Sequence, residues 1–256
     1  MLLSREVRFA LNGNYDNAVT NSWAAWPATL DIAPHLKLTC VVQGEPDPTT
    51  GYICNIKELD GLLRTVITQH IIPDYQSNQG LLNLTRLMYE HCKNLWNGSA
   101  AIFSMTLASS EFLKASIYSQ QESMIELTQQ FEFSAAHRLH CDDLTTKQNL
   151  EVFGKCNNLE GHGHNYVLEV SLAGEPDENG HLISLHDFEA TVKEKIIDRL
   201  DHKHLNRDVD YFSKVNPSVE NMSKAIWNWL FDEFTNAKLS KVKLYETPKT
   251  WAEYSG

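Results

Sequence analysis

Hydrophobic and polar positions alternate strictly in two stretches of the chain. Leu36, Leu38, Cys40 and Val42 share one parity, and Tyr166, Leu168, Val170 and Leu172 repeat the arrangement 130 residues later. Period-two alternation predicts a strand with one buried face. Each stretch runs into the same tetrapeptide, Gly44-Glu45-Pro46-Asp47 and Gly174-Glu175-Pro176-Asp177, whose residue types favour a turn. A helical stripe follows each turn: Leu59, Leu62, Leu63, Val66 and Ile67 in the first half, Phe188, Val192, Ile196 and Leu200 in the second. Second stripes come next, at Leu84, Leu87, Met88, His91 and Leu95, and at Met222, Ile226, Trp229, Leu230 and Phe234. Pro217 suits the first turn of that last helix. Short alternating segments open each half (7–11 and 131–135) and close it (101–107 and 242–246). The predicted unit is strand, strand, helix, helix, strand, strand, written twice. This is an α+β class, each unit a four-stranded antiparallel sheet with two helices on one face. The polar stretch 119–123 predicts the linker, giving domains 1–122 and 123–256.

Composition narrows the function. Of 256 residues, 42% are hydrophobic and 21% charged, ordinary for a globular chain. The net charge of −11 argues against a broad nucleic-acid-binding surface, so an anionic ligand needs a local basic pocket. No run approaches the ~18 apolar residues of a membrane span, and residues 1–6 lack the apolar core of a signal peptide. Five cysteines, Cys40, Cys54, Cys92, Cys141 and Cys156, show no clustered spacing. The expectation is a reduced, cytoplasmic protein without a disulfide framework.

Candidate chemistry is concentrated in the second half, which holds eight of the eleven histidines. His162 and His164 flank Gly163 at the start of a predicted strand, so both imidazoles project from one face. His137 shares parity with Phe131, Phe133 and Ala135 on another. Two neighbouring strands could bring the three together in a catalytic-type zinc arrangement with an open position; polar histidines at a strand end are the alternative. Cys156 is either a loop thiol of lowered pKa or a small buried cysteine. Asp201 beside His202 is either an oriented acid–base pair or a helix-end charge pair. Glu246 shares parity with Val242 and Leu244, where a carboxylate without a partner is costly.

These residues stand in Phe133-Ser134-Ala135-Ala136-His137-Arg138-Leu139, Phe153-Gly154-Lys155-Cys156-Asn157-Asn158, Gly161-His162-Gly163-His164-Asn165-Tyr166, Leu200-Asp201-His202-Lys203-His204-Leu205-Asn206 and Tyr245-Glu246-Thr247. The series, in this order and spacing from about residue 131 onward, closely resembles the 6-pyruvoyl-tetrahydropterin synthase family. The resemblance implies the tunnelling fold, in which subunits pair sheets into a barrel. It implies Zn2+ on His137, His162 and His164, with Cys156 as base, Asp201 and His202 as a relay, and Glu246 as anchor of the pterin, with Thr247 beside it. It implies 7,8-dihydroneopterin triphosphate as substrate. The family's Thr-Thr-Glu-Asn segment reads Ser218-Val219-Glu220-Asn221 here, which leaves Ser218 as a polar contact for the pterin. Arg138, Lys155 and Lys203 are the basic candidates for the triphosphate. A homo-oligomer is implied, for instance a trimer of tandem chains.

The first half departs from that pattern. Positions 130 residues before His162 and His164 are Ile32 and Pro34. The segments matching Asp201-His202 and Glu246-Thr247 read Ile71-Ile72-Pro73-Asp74 and Leu107-Ala108-Ser109-Ser110. The first half is therefore expected to keep the fold without the chemistry. Two other activities fit the sequence: a 6-carboxy-5,6,7,8-tetrahydropterin synthase of deazaguanine (queuosine) biosynthesis, and a non-catalytic pterin-binding protein. The carboxy type resembles this chain less, because five residues separate Cys156 from His162, as in the pyruvoyl type. A histidine-rich metal store would hold more than one zinc per chain.

Overall fold

The computed structural model describes residues 1–15, 22–75 and 80–256. The chain divides into two compact units, residues 1–128 with 174–182, and residues 129–173 with 183–256.

The first unit contains β1 (Leu2–Ala10), β2 (His35–Gln43), α1 (Ile56–Val66), α2 (Leu81–Leu95), β3 (Ala101–Ala108) and β4 (Leu113–Tyr118). The strands form an antiparallel run in that order. Alternation along β2 works as the sequence predicts: Leu36, Leu38, Cys40 and Val42 are buried. α1 starts where Asn55 accepts from the Lys57 N–H at 3.1 Å, relieving one of the unpaired donors of a helix start. It buries Leu59, Leu63 and Val66, and continues through a π-helical turn, Ile67–Ile71. Arg5 of β1 and Arg64 of α1 both pair with Asp60. α2 buries Leu82, Leu84, Met88, Tyr89 and Cys92.

The second unit is built on β5 (Ile125–His137), β6 (His162–Gly174), β8 (Lys238–Thr247) and β9 (Thr250–Tyr254), adjacent in that order. β6–β8 and β8–β9 are antiparallel. A two-residue strand, β7 (Lys203–His204), runs parallel to β5, with Ala135 opposite Lys203 and Ala136 opposite His204. Against one face lie α4 (Leu185–Val192) and α7 (Val219–Leu230). α4 passes through a π-helical turn, Lys193–Ile197, into α5 (Asp198–Leu200). The core pairs Tyr166, Leu168, Val170, Leu172, Val242 and Leu244 of the strands with Phe188, Val192, Ile196, Met222, Ile226 and Leu230 of the helices, all fully buried. Phe133 stacks on Tyr166 with centroids 5.0 Å apart. Burying each of these large side chains stabilises the fold by ~1.5–3 kcal/mol before its entropy cost.

The closing strands β4 and β9 are the last strands of the predicted units. Two features go beyond the predicted pattern. α3 (Thr146–Phe153) precedes a 3-10 turn, Gly154–Asn157, and begins with a capping box between Thr145 and Gln148. α6 (Leu205–Asp208) follows β7 directly. The stretch 119–123 is a short turn between β4 and β5. No helix among the described residues is long and apolar enough to cross a membrane. All five cysteines are free thiols.

Candidate metal centre and active site

β5 ends on His137, which is fully buried. Its Nδ1 lies 2.7 Å from the carbonyl oxygen of Pro217, just before α7. A carbonyl only accepts, so Nδ1 holds the hydrogen and Nε2 presents a lone pair. β6 begins with His162 and His164, on the face that also carries Tyr166. His137 Nε2 and His162 Nε2 are 3.1 Å apart, and one nitrogen from each of the three histidines falls within a 4.8 Å cluster. Two lone pairs at that distance repel unless a proton or a cation lies between them. The 3.1 Å separation is within reach of two nitrogens that share one cation at ~2.0–2.1 Å from each.

The surroundings suit the metal-ready, uncharged imidazole. Burial pushes His137 down to about 4, with His162, His164 and His204 adding to the effect. Burial, then His164, lowers His162 as well. His162 Nδ1 and His164 Nε2 are buried without a hydrogen-bond partner. Glu246 Oε1 stands 3.3 Å from His137 Nε2 and 3.5 Å from His164 Nε2. The residues present therefore fit a divalent cation: three imidazole nitrogens, with a carboxylate on their edge.

Gly161 makes this approach possible. Its φ of +75° is in the left-handed region. A Cβ there would fall 2.7 Å from the His137 oxygen and 2.9 Å from His204 Nε2.

Asp201 ends α5 and is fixed to β5. Ser134 N–H donates to its Oδ1 at 2.8 Å, and His202 Nδ1 lies 2.8 Å from its Oδ2. The His202 N–H donates to the Ser134 carbonyl at 2.6 Å, with His202 at φ +57°. Ser134 first, then His202, holds the Asp201 carboxyl below the usual carboxylate range. The His202 ring is 83% exposed, so it is free to meet a ligand. A cavity of about 570 Å³ is lined by Ser134, Gly163, His164, His202, Lys203 and His204, so His202 and one histidine of the cluster, His164, both face it.

Cys156 sits half-buried in the 3-10 turn, and its carbonyl accepts from Leu139 N–H at 2.9 Å. Tyr166 is fully buried; burial, then Glu246 and Cys156, raises its phenol, so it stays protonated. Ser218 caps α7, its hydroxyl accepting from Asn221 N–H at 3.4 Å. Thr247 and Glu246 do not meet. Thr247 lines a separate cavity of about 360 Å³ with Gln130, Asn165, Val167, Glu169 and Tyr245, on the sheet face opposite Glu246.

Several asparagines do work that residue-type reasoning did not single out. Asn206 Oδ1 accepts from Arg138 N–H at 2.8 Å while its amide donates to the Arg138 carbonyl at 3.0 Å. Asn216 Oδ1 accepts from His140 N–H at 3.2 Å. Both Asn206 and Asn157 lie inside the quoted motifs, which was the available signal.

One buried and two half-buried histidines beside a carboxylate, at one end of an antiparallel sheet backed by helices, form a candidate metal site in an α+β protein. Residues 126–256 match the family model described as 6-pyruvoyl tetrahydropterin synthase. The chain belongs to this family of lyases, and its matching residues adopt the family's tunnelling fold. It is 40% identical over 138 residues to the 6-pyruvoyl tetrahydrobiopterin synthase of Drosophila melanogaster, covering 53% of this chain and 82% of that protein. The solved structure of Caenorhabditis elegans 6-pyruvoyl tetrahydropterin synthase matches with a TM-score of 0.50 and 38% identity, over 52% of this chain and 96% of that one. A 6-carboxy-5,6,7,8-tetrahydropterin synthase of Rickettsia felis is 30% identical over 149 residues, covering 51% of this chain and 99% of that protein.

Proposed function

We propose that the protein converts 7,8-dihydroneopterin triphosphate to 6-pyruvoyl tetrahydropterin, with Zn2+ held by His137, His162 and His164. The observation that carries this reading is the convergence of those three imidazoles with Glu246 beside the cavity that His202 enters. Such a cation, when bound, supplies Lewis-acid polarisation of the substrate's side-chain oxygens and acidifies the adjacent C–H. The Cys156 thiolate takes the proton from that carbon. His202, with Nδ1–H on Asp201, exchanges protons at the side-chain oxygens through Nε2. Glu246 accepts from the amino-pyrimidine edge of the pterin, with Ser218 as its polar neighbour; Thr247, on the opposite face of β8, takes no part in this contact. The carbon–oxygen bond to triphosphate breaks, and hydrogen moves from the side-chain carbons to the ring. The redox change is internal, so no outside oxidant or reductant is needed.

The catalytic domain in this reading is 123–256, and 1–122 is a copy that keeps the fold alone. Support for the duplication comes from the matching order of the main strands and helices and from a π-helical turn after the helix that follows each Gly-Glu-Pro-Asp segment, at Ile67–Ile71 and Lys193–Ile197. The assembly is a cytoplasmic homo-oligomer of tandem chains, such as a trimer. A fully active, soluble 127–256 fragment would overturn the structural role of the first copy.

The test is product analysis by mass after incubating zinc-loaded protein with 7,8-dihydroneopterin triphosphate. The expected products are 6-pyruvoyl tetrahydropterin and triphosphate. Carboxytetrahydropterin with acetaldehyde would establish the second reading, which the Rickettsia relative favours and the Cys156–His162 spacing disfavours. Binding without turnover would make the protein a pterin-binding module.

A further inference from the structure

We infer that Arg138 is a positioning residue for the Cys156 thiol. The inference rests on the reading above that Cys156 moves the proton. Arg138 follows His137 directly, yet its guanidinium turns toward the thiol loop. Its Nε–H donates to the Asn157 carbonyl at 3.2 Å, and Nη2 donates to Asn157 Oδ1 at 3.0 Å. His140 Nδ1 lies 2.9 Å from the same Oδ1. One planar fork thus grips both the backbone and the side chain of the residue next to Cys156. The Leu139 N–H adds a fourth tie, to the Cys156 carbonyl.

The grip is itself anchored. Asn206 brackets the Arg138 backbone from both sides, N–H and carbonyl. The strand end carrying His137 and the turn carrying Cys156 are therefore held as one piece. A four-residue 3-10 turn has few internal bonds to fix it, so its register depends on these outside contacts. This geometry directs the Arg138 fork to Asn157, which separates it from the triphosphate role that its charge alone suggests. Lysine could not reproduce it, because an ammonium has no fixed pair of donors.

The test uses the full-length, metal-loaded protein and the variants Arg138→Lys, Asn157→Ala and their double. Misplacing a reacting group by ~1 Å costs ~10²-fold in rate. The expected result is a kcat lowered about 10- to 100-fold for Arg138→Lys, with KM within about twofold and metal content unchanged. Asn157→Ala should give a similar loss, and the double variant should be no worse than the larger single effect. Iodoacetamide labelling of Cys156, followed by peptide mass at fixed pH, should change rate in both single variants. An unchanged kcat, a loss confined to KM, or fully multiplicative losses in the double variant would overturn the inference. If Arg138→Lys does not fold, Asn157→Ala alone decides through the same kcat and labelling readouts. Cys156→Ala separates the two levels. If it retains turnover, the reading of the thiol fails and this inference with it. If it is inactive while Arg138→Lys and Asn157→Ala are normal, only the inference fails.

Discussion

His137 and Pro217, eighty residues apart, are joined by a 2.7 Å hydrogen bond from imidazole Nδ1 to the backbone carbonyl. The bond fixes the tautomer and aims Nε2 at the other two histidines. In the metal centre proposed above, a contact of this kind, holding a ligand's other ring nitrogen, typically tunes affinity 10- to 100-fold.

Metal removal follows from that arrangement. Treating the protein with a chelator should abolish turnover and lower the melting temperature, because a ligand held only by the folded state stabilises it. One equivalent of zinc per chain should restore both. His162→Ala should bind zinc at least ~10²-fold more weakly. Metal analysis by mass spectrometry with calorimetric titration checks the stoichiometry; two or more equivalents would contradict a single three-histidine centre.

Asp201 makes a pH-dependent contribution whose sign is set. Ser134 and His202 hold its carboxyl below the ordinary value, so the unfolded chain takes up the proton first as pH falls. The stabilisation is fully present above the unfolded pKa of ~3.9 and disappears as pH drops through the lower folded value. Urea midpoints of the parent and Asp201→Asn should differ at pH 7 and converge in strong acid. Turnover of Asp201→Asn should fall by ~10²-fold or more, since His202 loses its orienting acceptor.

Gly161→Ala should damage the site from outside it. The left-handed backbone alone costs ~1–2 kcal/mol for a residue with a Cβ, and that Cβ would collide with the His137 carbonyl. The expected outcome is weaker zinc binding together with a lower urea midpoint. Ala-like behaviour indistinguishable from the parent would show that the 160–162 segment can relax.

Ile226→Ala tests the core without touching the site. Ile226 is fully buried on α7, and truncating such a side chain typically costs ~2–5 kcal/mol. Urea unfolding should show that loss, with KM near the parent value wherever the variant remains folded.

The hydrophobic pattern foretold most of the scaffold because burial enforces it. Leu168, Val170 and Leu172 alternate since one face of β6 is closed to water, and Val192, Ile196 and Leu200 recur since one side of a helix is. Three elements escaped for physical reasons. α3 buries only Asn149, so it leaves little apolar stripe to detect. β7 has two residues, too short for any period. The π-helical turns add a residue to a helical turn and throw the 3.6 spacing out of phase. At the site, the three histidines were legible from parity and motif. The supporting ties of Ser134, Asn157, Asn206 and Asn216 were not, because an amide or hydroxyl has no periodic signature and its partner lies up to seventy-six residues away. Nor did adjacency in sequence reveal that Glu246 and Thr247 serve opposite faces of β8.

That last separation has a consequence for how the chain can change. A strand presents successive residues to alternate sides, so deleting one residue between Val242 and Glu246 would exchange the two. The carboxylate would leave the histidines and a threonine would face them, with composition almost intact. The pairing of β6 with β8 contains one irregularity, between Ser171 and Leu172, and the pairing of β8 with β9 contains another, between Tyr245 and Thr247. The final stretch of β8 is thus constrained more strictly in its residue count than in its residue types, and single-residue deletions there should be far more harmful than most substitutions.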